Sequence, residues 1–375
     1  MYNRRRIMTK LKSLLVMALT VIGVGLFMPN VHAQSSMDFV VSPKLPDTQV
    51  DKKAGFFNFQ LDAGKKETLH VTISNTSGKD IKLKVSAGTA GTSAAGAVDN
   101  TMTGDAVKDV PYRMGDLLKL SKTTVTVPAG QSIDYTADFT MPDKRIVGLL
   151  VGGLRFEQVD DANNANQGGT ALQTDLAYVL SVMARQYPTL PTPKVSFGGA
   201  KAAQIDGQNA VRLRLENKTG TFVNRLEAKA VVTDGMGRKV TSFTQSMMQM
   251  APTSTMDWPV LLNGKTLKSG EYHVAITTYY SQSKDGKYKD SAGSRFNYKD
   301  TFNSSFKLTV AQAKQLNNTD MIQQAHHALP WWLWLIIILL LIIVGLVAFI
   351  VLYFYKAKHP DAKIFNLDLK KFKQN

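Results

Sequence analysis

The sequence predicts an all-β ectodomain of two immunoglobulin-like β-sandwich domains in series, with an N-terminal signal peptide and one C-terminal transmembrane helix. Three observations carry that reading. Apolar and polar residues alternate with a period of two, broken every 8 to 12 residues or so by turn chemistry. An uncharged apolar run, Trp331 to Tyr355, lies near the C-terminus. A basic segment followed by an apolar one, MYNRRRIMTKLKSLLVMALTVIGVGLF, opens the chain.

Residues 1–33 have the order of a secretory leader: a charged start, an apolar stretch too short to be a typical span, and Val31-His32-Ala33 with a small residue at the cleavage point. The mature chain is expected to start near Gln34.

The first domain is expected over 34–187. LHVTI (Leu69–Ile73) and IKLKV (Ile81–Val85) alternate around the turn-rich SNTSGKD, and TTVTVPAGQSIDYTADFTMP supplies two more strands around Pro128-Ala129-Gly130. LLVGGLRF and AYVLSVMARQ read as more fully buried strands. YPTLPTP (187–193) has three prolines in seven residues and reads as a connector.

The second domain is expected over 188–311. Val211, Leu213 and Leu215 alternate, and Leu226, Ala228, Ala230 and Val232 follow a turn at 217–220. Asp234–Gly237 (DGMG) is a tight reversal, and LKSGEYHVAITTYY gives a further turn and strand. LHVTISNTSGKDIKLKV and VRLRLENKTGTFVNRLEAKAVV share a strand, an Asn-x-Ser/Thr-Gly turn and a second strand, a faint internal duplication. The Asn75 and Asn217 triplets fit a glycosylation pattern and are read as turn residues.

Small or polar composition marks 86–107 and 157–170 as exposed loops. Residues 312–330 read as a polar stalk. Phe56–Phe59, and Met247, Met248 and Met250 with Trp258, read as strand core.

The apolar run defines a transmembrane helix over 331–355. At about 1.5 Å per residue it reaches about 37 Å, against a hydrocarbon core of about 30 Å. Trp331, Trp332 and Trp334 at one end, and Tyr353 and Tyr355 at the other, are placed to act as membrane-interface anchors. The tail, 356–375, holds six lysines against two aspartates, whereas MIQQAHHALP before the span has no Lys or Arg. Positive charge stays inside, so the C-terminus is expected in the cytoplasm and the ectodomain outside, in the cell wall. Leu329-Pro330 is followed by tryptophan, without the Thr-Gly of a wall-sorting signal, so the helix reads as a permanent anchor.

The net charge of +16 overstates the basicity of the exposed part. The leader carries five basic residues and no acidic one. With the tail set aside too, an excess of seven remains over roughly 300 residues. Those cations are scattered, without the basic, aromatic-interleaved stripe of a nucleic-acid footprint; no nucleic acid is expected as a partner. The absence of cysteine suits a bacterial exported protein, particularly a Gram-positive one, and excludes cysteine nucleophiles.

Catalysis leaves little trace. His70 and His273 sit in strand patterns and His326-His327 in the stalk. There is no Gly-x-Ser-x-Gly elbow, EF-hand loop or phosphate-binding loop. Asp160-Asp161 is a lone acidic pair. No catalytic, cofactor-binding or metal site is expected, and no cofactor.

Several stretches carry a family resemblance. GFFNFQLDAGKKETLHVTISNTSGKDIKLKVSAGTA, VTVPAGQSIDYTADFTMP and IVGLLVGGLRF resemble the peptidoglycan-binding domain of the WxL-interacting proteins of Gram-positive bacteria. VRLRLENKTGTFVNRLEAKAVVTDGMGRKV and MQMAPTSTMDWPVLLNGKTLKSGEYHVAI resemble that family's host-binding domain. The resemblance implies a non-enzymatic, membrane-anchored surface protein. Its first domain would bind peptidoglycan, and its second WxL-domain surface proteins and host extracellular-matrix proteins. Thr253 departs from the Asn that the family pattern has after Met-Ala-Pro. Two alternatives stay open from the residues alone: a membrane-tethered chaperone or assembly factor for exported surface proteins, and, behind it, a wall-active enzyme. The sequence singles out no ligand-binding residue, partner identity or oligomeric state.

Overall fold

The computed structural model describes residues 37–159, 177–322 and 331–358. The leader, residues 160–170 of the second expected loop, the end of the stalk with His326 and His327, and the tail from 359 onward lie outside the described residues.

The first sandwich opposes two sheets. Strands β1 (Phe39–Lys44), β3 (Lys66–Asn75), β8 (Ser132–Thr140) and β6 (Leu118–Leu120) form one, in the order β1-β3-β8-β6. The other has β2 (Phe57–Gln60), β10 (Ala177–Arg185), β9 (Leu149–Gln158) and β4 (Ile81–Thr92) in sequence across it. Strands β5 (Val98–Met102) and β7 (Thr124–Val127) both pair with β4, at opposite ends. β2 and β10 run parallel; every other pairing among the described strands is antiparallel.

Period-two alternation does the sorting. Leu69, Val71 and Ile73 on β3 point inward and are fully buried, while Thr68 and His70 between and beside them are exposed. Facing residues interlock, with Phe59 and Phe139 edge to face at 5.2 Å. Burial of each such side chain contributes about 1.5–3 kcal/mol. Phe57 and Phe59 are core, as their pattern predicts.

The second sandwich packs a three-stranded sheet on a five-stranded one. β11 (Val195–Ile205), β12 (Gln208–Asn217) and β15 (Ser254–Leu261) form the first. β14 (Lys239–Met250), β13 (Val223–Asp234), β16 (Gly270–Gln282), β18 (Arg295–Leu308) and β17 (Tyr288–Lys289) form the second, in that order. Trp258 fills its centre, and its indole N–H donates to Gln245 Oε1 at 2.8 Å. Met248 and Met250 join this core, but Met247 is exposed. At the 234–237 reversal the Asp234 carboxylate accepts from the backbone N–H groups of Met236 and Arg238, both at 3.0 Å.

Two expectations change. Residues 86–107 are not one exposed loop: β4 continues to Thr92, β5 pairs back on it, and Thr89, Ala90 and Thr92 are buried. Small residues serve close packing here, since a β-carbon on Gly88 would strike the backbone of Thr101. The stalk also begins differently. Helix α1 (Val310–Thr319) starts on a capping box between Thr309 and Gln312. It is fastened to the second sandwich: Asn317 Oδ1 accepts from Leu267 N at 2.9 Å and from Asn209 Nδ2 at 3.1 Å. Asp320, buried, accepts from Asn209 N at 2.9 Å. The polar side chains that looked like solvated stalk tie the end of the sandwich shut.

Helix α2 (Trp331–Lys358) is uncharged as far as Tyr355 and ends on Lys356 and Lys358, and its stretch Leu333–Phe354 is long and apolar enough to cross a membrane.

Candidate functional site: a sheet-face groove and the domain junction

A concavity of about 780 Å³ lies on the outward face of the β1-β3-β8-β6 sheet of the first sandwich. Register brings its floor together. Lys66 pairs with Thr140 and Thr68 with Asp138 across β3 and β8, and Lys119 of β6 pairs with Asp138. These positions face outward because Leu69, Phe139 and Leu118 beside them face in. The Asp138 carboxylate accepts from Thr68 Oγ1 at 2.8 Å. One wall is the 112–117 segment, with the Tyr112 ring and Asp116; Pro142 and Asp143, following β8, form the other. Buried Gln186 sets that second wall, its amide donating to Pro142 O at 3.0 Å and Lys144 O at 2.9 Å while its oxygen accepts from Ile146 N at 2.8 Å.

Two lysines, three aspartates and one half-buried tyrosine line this groove. Such a surface suits a ligand carrying both signs of charge together with saturated rings: carboxylates and ammonium groups for the charges, C–H faces for the aromatic ring.

Tyr112 also borders a smaller cavity, about 180 Å³, at the junction of the sandwiches. The first sandwich supplies Ala90, Ile146 and Leu150 to it, and the second Gly220, Pro252 and Thr253. Thr253 takes a left-handed backbone, φ 51°, a conformation that Asn adopts readily and a β-branched residue does not, so Thr at this position carries a backbone cost. The sandwiches approach closely at this junction. Ala90, Leu149, Val151 and Ala251 form a buried apolar cluster. Leu149 N donates to Gly220 O at 2.7 Å, and a β-carbon on Gly148 would collide with the Gly220 backbone. The hairpin between β4 and β5 reaches onto the second sandwich, where Gln249 N donates to Gly96 O at 2.8 Å and Gln245 Nε2 to Ala95 O at 2.8 Å.

The candidates from sequence fall elsewhere. His70 and His273 are exposed on separate strands. Asp160 and Asp161 lie outside the described residues. Among the described residues no group of three or more His, Asp or Glu side chains is arranged to hold a metal ion. Trp331, Trp332 and Trp334 stand at the start of α2, and Tyr353 and Tyr355 stand near its other end. The groove residues come from three separate segments and share no motif, so sequence reasoning missed them.

Comparison with known proteins places these features. A family model described as WxL Interacting Protein, peptidoglycan binding domain, matches residues 39–158, and one described as WxL Interacting Protein, host binding domain, matches 167–318. No curated protein matches the chain. Among solved structures, the class 5 fimbriae chaperone CfaA is similar at 12% identity over 72% of this chain and 99% of its own, with a TM-score of 0.28. The E. coli chaperone DraB is similar at 13% identity over 71% and 95%, also at 0.28. Scores this low say nothing of what the chain binds. The two family models match in order and together span most of the chain: it belongs to the WxL-interacting protein family.

Proposed function

We propose that this chain is a single-pass membrane protein of the cell surface that holds peptidoglycan in the groove of its first sandwich and engages partner proteins through its second. One observation carries the wall-binding part. Every residue lining the groove, from Gly64 to Asp143, falls inside the span matched by the peptidoglycan-binding model. Peptidoglycan has the chemistry the groove fits: sugar rings with apolar faces, and short peptides with free carboxylates and ammonium groups.

The partners of the second sandwich are WxL-domain surface proteins and host proteins of the extracellular matrix. The family name and the host-binding match support this reading. Both matched domains are binding domains, and no catalytic role is assigned. Anchoring rests on α2, with Trp331, Trp332 and Trp334 in the outer headgroup layer and Tyr353 and Tyr355 in the inner one. Tethering confines the sandwiches near the wall, so weak contacts to a repetitive polymer add to firm retention.

The test is co-sedimentation of the full-length protein in detergent with purified peptidoglycan, followed by addition of a purified WxL-domain protein. Retention in the pellet and recruitment of the second protein are expected. A chain left in the supernatant contradicts the wall reading, and a pelleted chain that recruits nothing contradicts the partner reading.

A further inference from the structure

Two pockets of the second sandwich are lined by arginine, and they differ in one respect. In the first, lined by Lys201, Arg212, Arg214 and Asp257, the arginines have carboxylate partners. Arg212 meets Asp257 at 3.6 Å, and Arg214 meets Asp109 at 2.8 Å and Glu216 at 3.5 Å. That pocket is an internally neutralised surface.

The second is an open cup of about 530 Å³ at one end of the five-stranded sheet, lined by Arg225, Gln282, Ser283, Lys284, Gly293 and Arg295. It has three cations and no carboxylate in its lining. Among the described residues none of the three forms an ion pair. Arg225 Nη1 donates to Met247 Sδ at 3.1 Å, and Arg295 donates to Gly286 O at 3.1 Å. Nearby carboxylates are engaged elsewhere. Glu227 accepts from Ser246 Oγ at 2.7 Å, and Asp290 accepts from Ala292 N at 2.9 Å and Ser294 N at 2.8 Å in its own loop. Asp285 is exposed but not part of the lining.

The backbone is bent to make this cup. Arg225 has φ 51° and Met247 opposite it φ 63°, both left-handed, where the register of β13 on β14 slips between Val223 and Leu226 and again before Ala228. A bulge of this kind re-aims a side chain, and a non-glycine residue held there carries a backbone cost. Three like charges gathered around one concavity repel one another unless an anion joins them.

We propose that this cup is a binding site for phosphate esters. Guanidinium forks fit phosphate oxygens, and Lys284 supplies a point charge beside them. Gln282 and Ser283 offer hydrogen bonds to hydroxyl groups, and the volume admits a phosphate with the polyol or sugar that carries it. The site lies in the second sandwich, away from the groove, and stands whether or not the groove binds peptidoglycan.

The test is calorimetric titration of the full-length protein in detergent at low salt, in a phosphate-free buffer. The probes are sn-glycerol 3-phosphate, inorganic phosphate and a poly(glycerol phosphate). The ester and the polymer are expected to bind. Arg225→Gln with Arg295→Gln is expected to weaken both by about tenfold or more, the scale of a lost charge-assisted hydrogen bond. Lys284→Gln, which removes no internal bond, should weaken both in the same direction. Lys229→Gln removes the same charge from an exposed position outside the cup and should change affinity less than about twofold. Inorganic phosphate binding as tightly as the ester would support the site with the phosphate as the recognised group; polymer binding alone would support it with a repeating ligand. Binding to none of the three, or binding that the cup variants leave unchanged, overturns the proposal.

Discussion

Thr92 of the first sandwich and Ser254 of the second share a 2.6 Å hydrogen bond inside the junction, and both are buried. Their neighbours fix its direction. Ser254 Oγ donates to Ala251 O at 2.8 Å, so its one proton is used. Thr92 therefore donates to Ser254, and Thr92 Oγ1 accepts from Ala251 N at 3.0 Å. Thr92→Val keeps the shape but leaves the buried Ala251 N–H without its partner. The expected loss is about 1–3 kcal/mol. In urea unfolding of the full-length protein it should lower the midpoint, and a variant as stable as the wild type would refute the coupling.

Asn75 and Asn217 hold the corresponding turn in each sandwich. Asn75 donates to Lys79 O at 2.7 Å and Val127 O at 2.9 Å, and accepts from Ser77 N at 2.9 Å. Asn217 donates to Thr221 O and Ala251 O, both at 2.8 Å, and accepts from Thr219 N at 3.1 Å. Alanine at either position strands buried carbonyls, with an expected cost of about 2–4 kcal/mol in the same unfolding measurement. Both amides are buried and fully engaged, so neither should accept a glycan when the chain is exposed to a glycosylating system; a mass increase at either residue would contradict this.

Alkaline pH should destabilise the second sandwich through Tyr280. Burial pushes its hydroxyl well above the usual phenol range, and the hydroxyl donates to Asp300 Oδ2 at 2.7 Å. The unfolded chain releases this proton near pH 10, whereas the folded chain retains it. The contribution is therefore complete below about pH 10 and is lost as pH rises further. Tyr280→Phe cannot release that proton in either state. Its stability should fall less steeply than that of the wild type between about pH 10 and 11, and parallel curves would contradict the assignment.

Topology can be read by single-cysteine labelling, because the native chain has no cysteine of its own. Lys229→Cys, at an exposed position of β13, should react with a membrane-impermeant maleimide on intact cells. Lys363→Cys in the tail should react only after permeabilisation. The reverse pattern would invert the proposed orientation.

The sequence made the strands legible where alternation met a clear inside and outside, as at Leu69-Val71-Ile73 and Val211-Leu213-Leu215. It also marked α2, since an all-round apolar helix needs no tertiary context to be seen. What it hid depended on tertiary contact. Gly88, Thr89 and Ala90 look like loop residues but form a strand, because β5 packs closely on Gly88 and the junction on Ala90. Asn317 and Asp320 look like solvated stalk but bond to Asn209. Met247 and Met248 are neighbours in sequence, one exposed and one buried, because successive strand residues point to opposite faces. The groove drew no signal at all: strand register aligns Lys66, Lys119 and Asp138 along its floor, and Tyr112 reaches it from the 112–117 wall.

The most direct test of the account is peptidoglycan co-sedimentation by the intact chain with a blocked groove. The intact chain is required, since separating the sandwiches would expose Ala90, Leu149, Val151 and Ala251. Thr140→Trp fills the groove from an exposed strand position where an aromatic residue is well tolerated; Asp116→Asn removes one of its charges. With an unfolding midpoint like that of the wild type, the double variant should lose most of its retention, by about tenfold. Retention equal to the wild type would mean that peptidoglycan is held somewhere other than this groove.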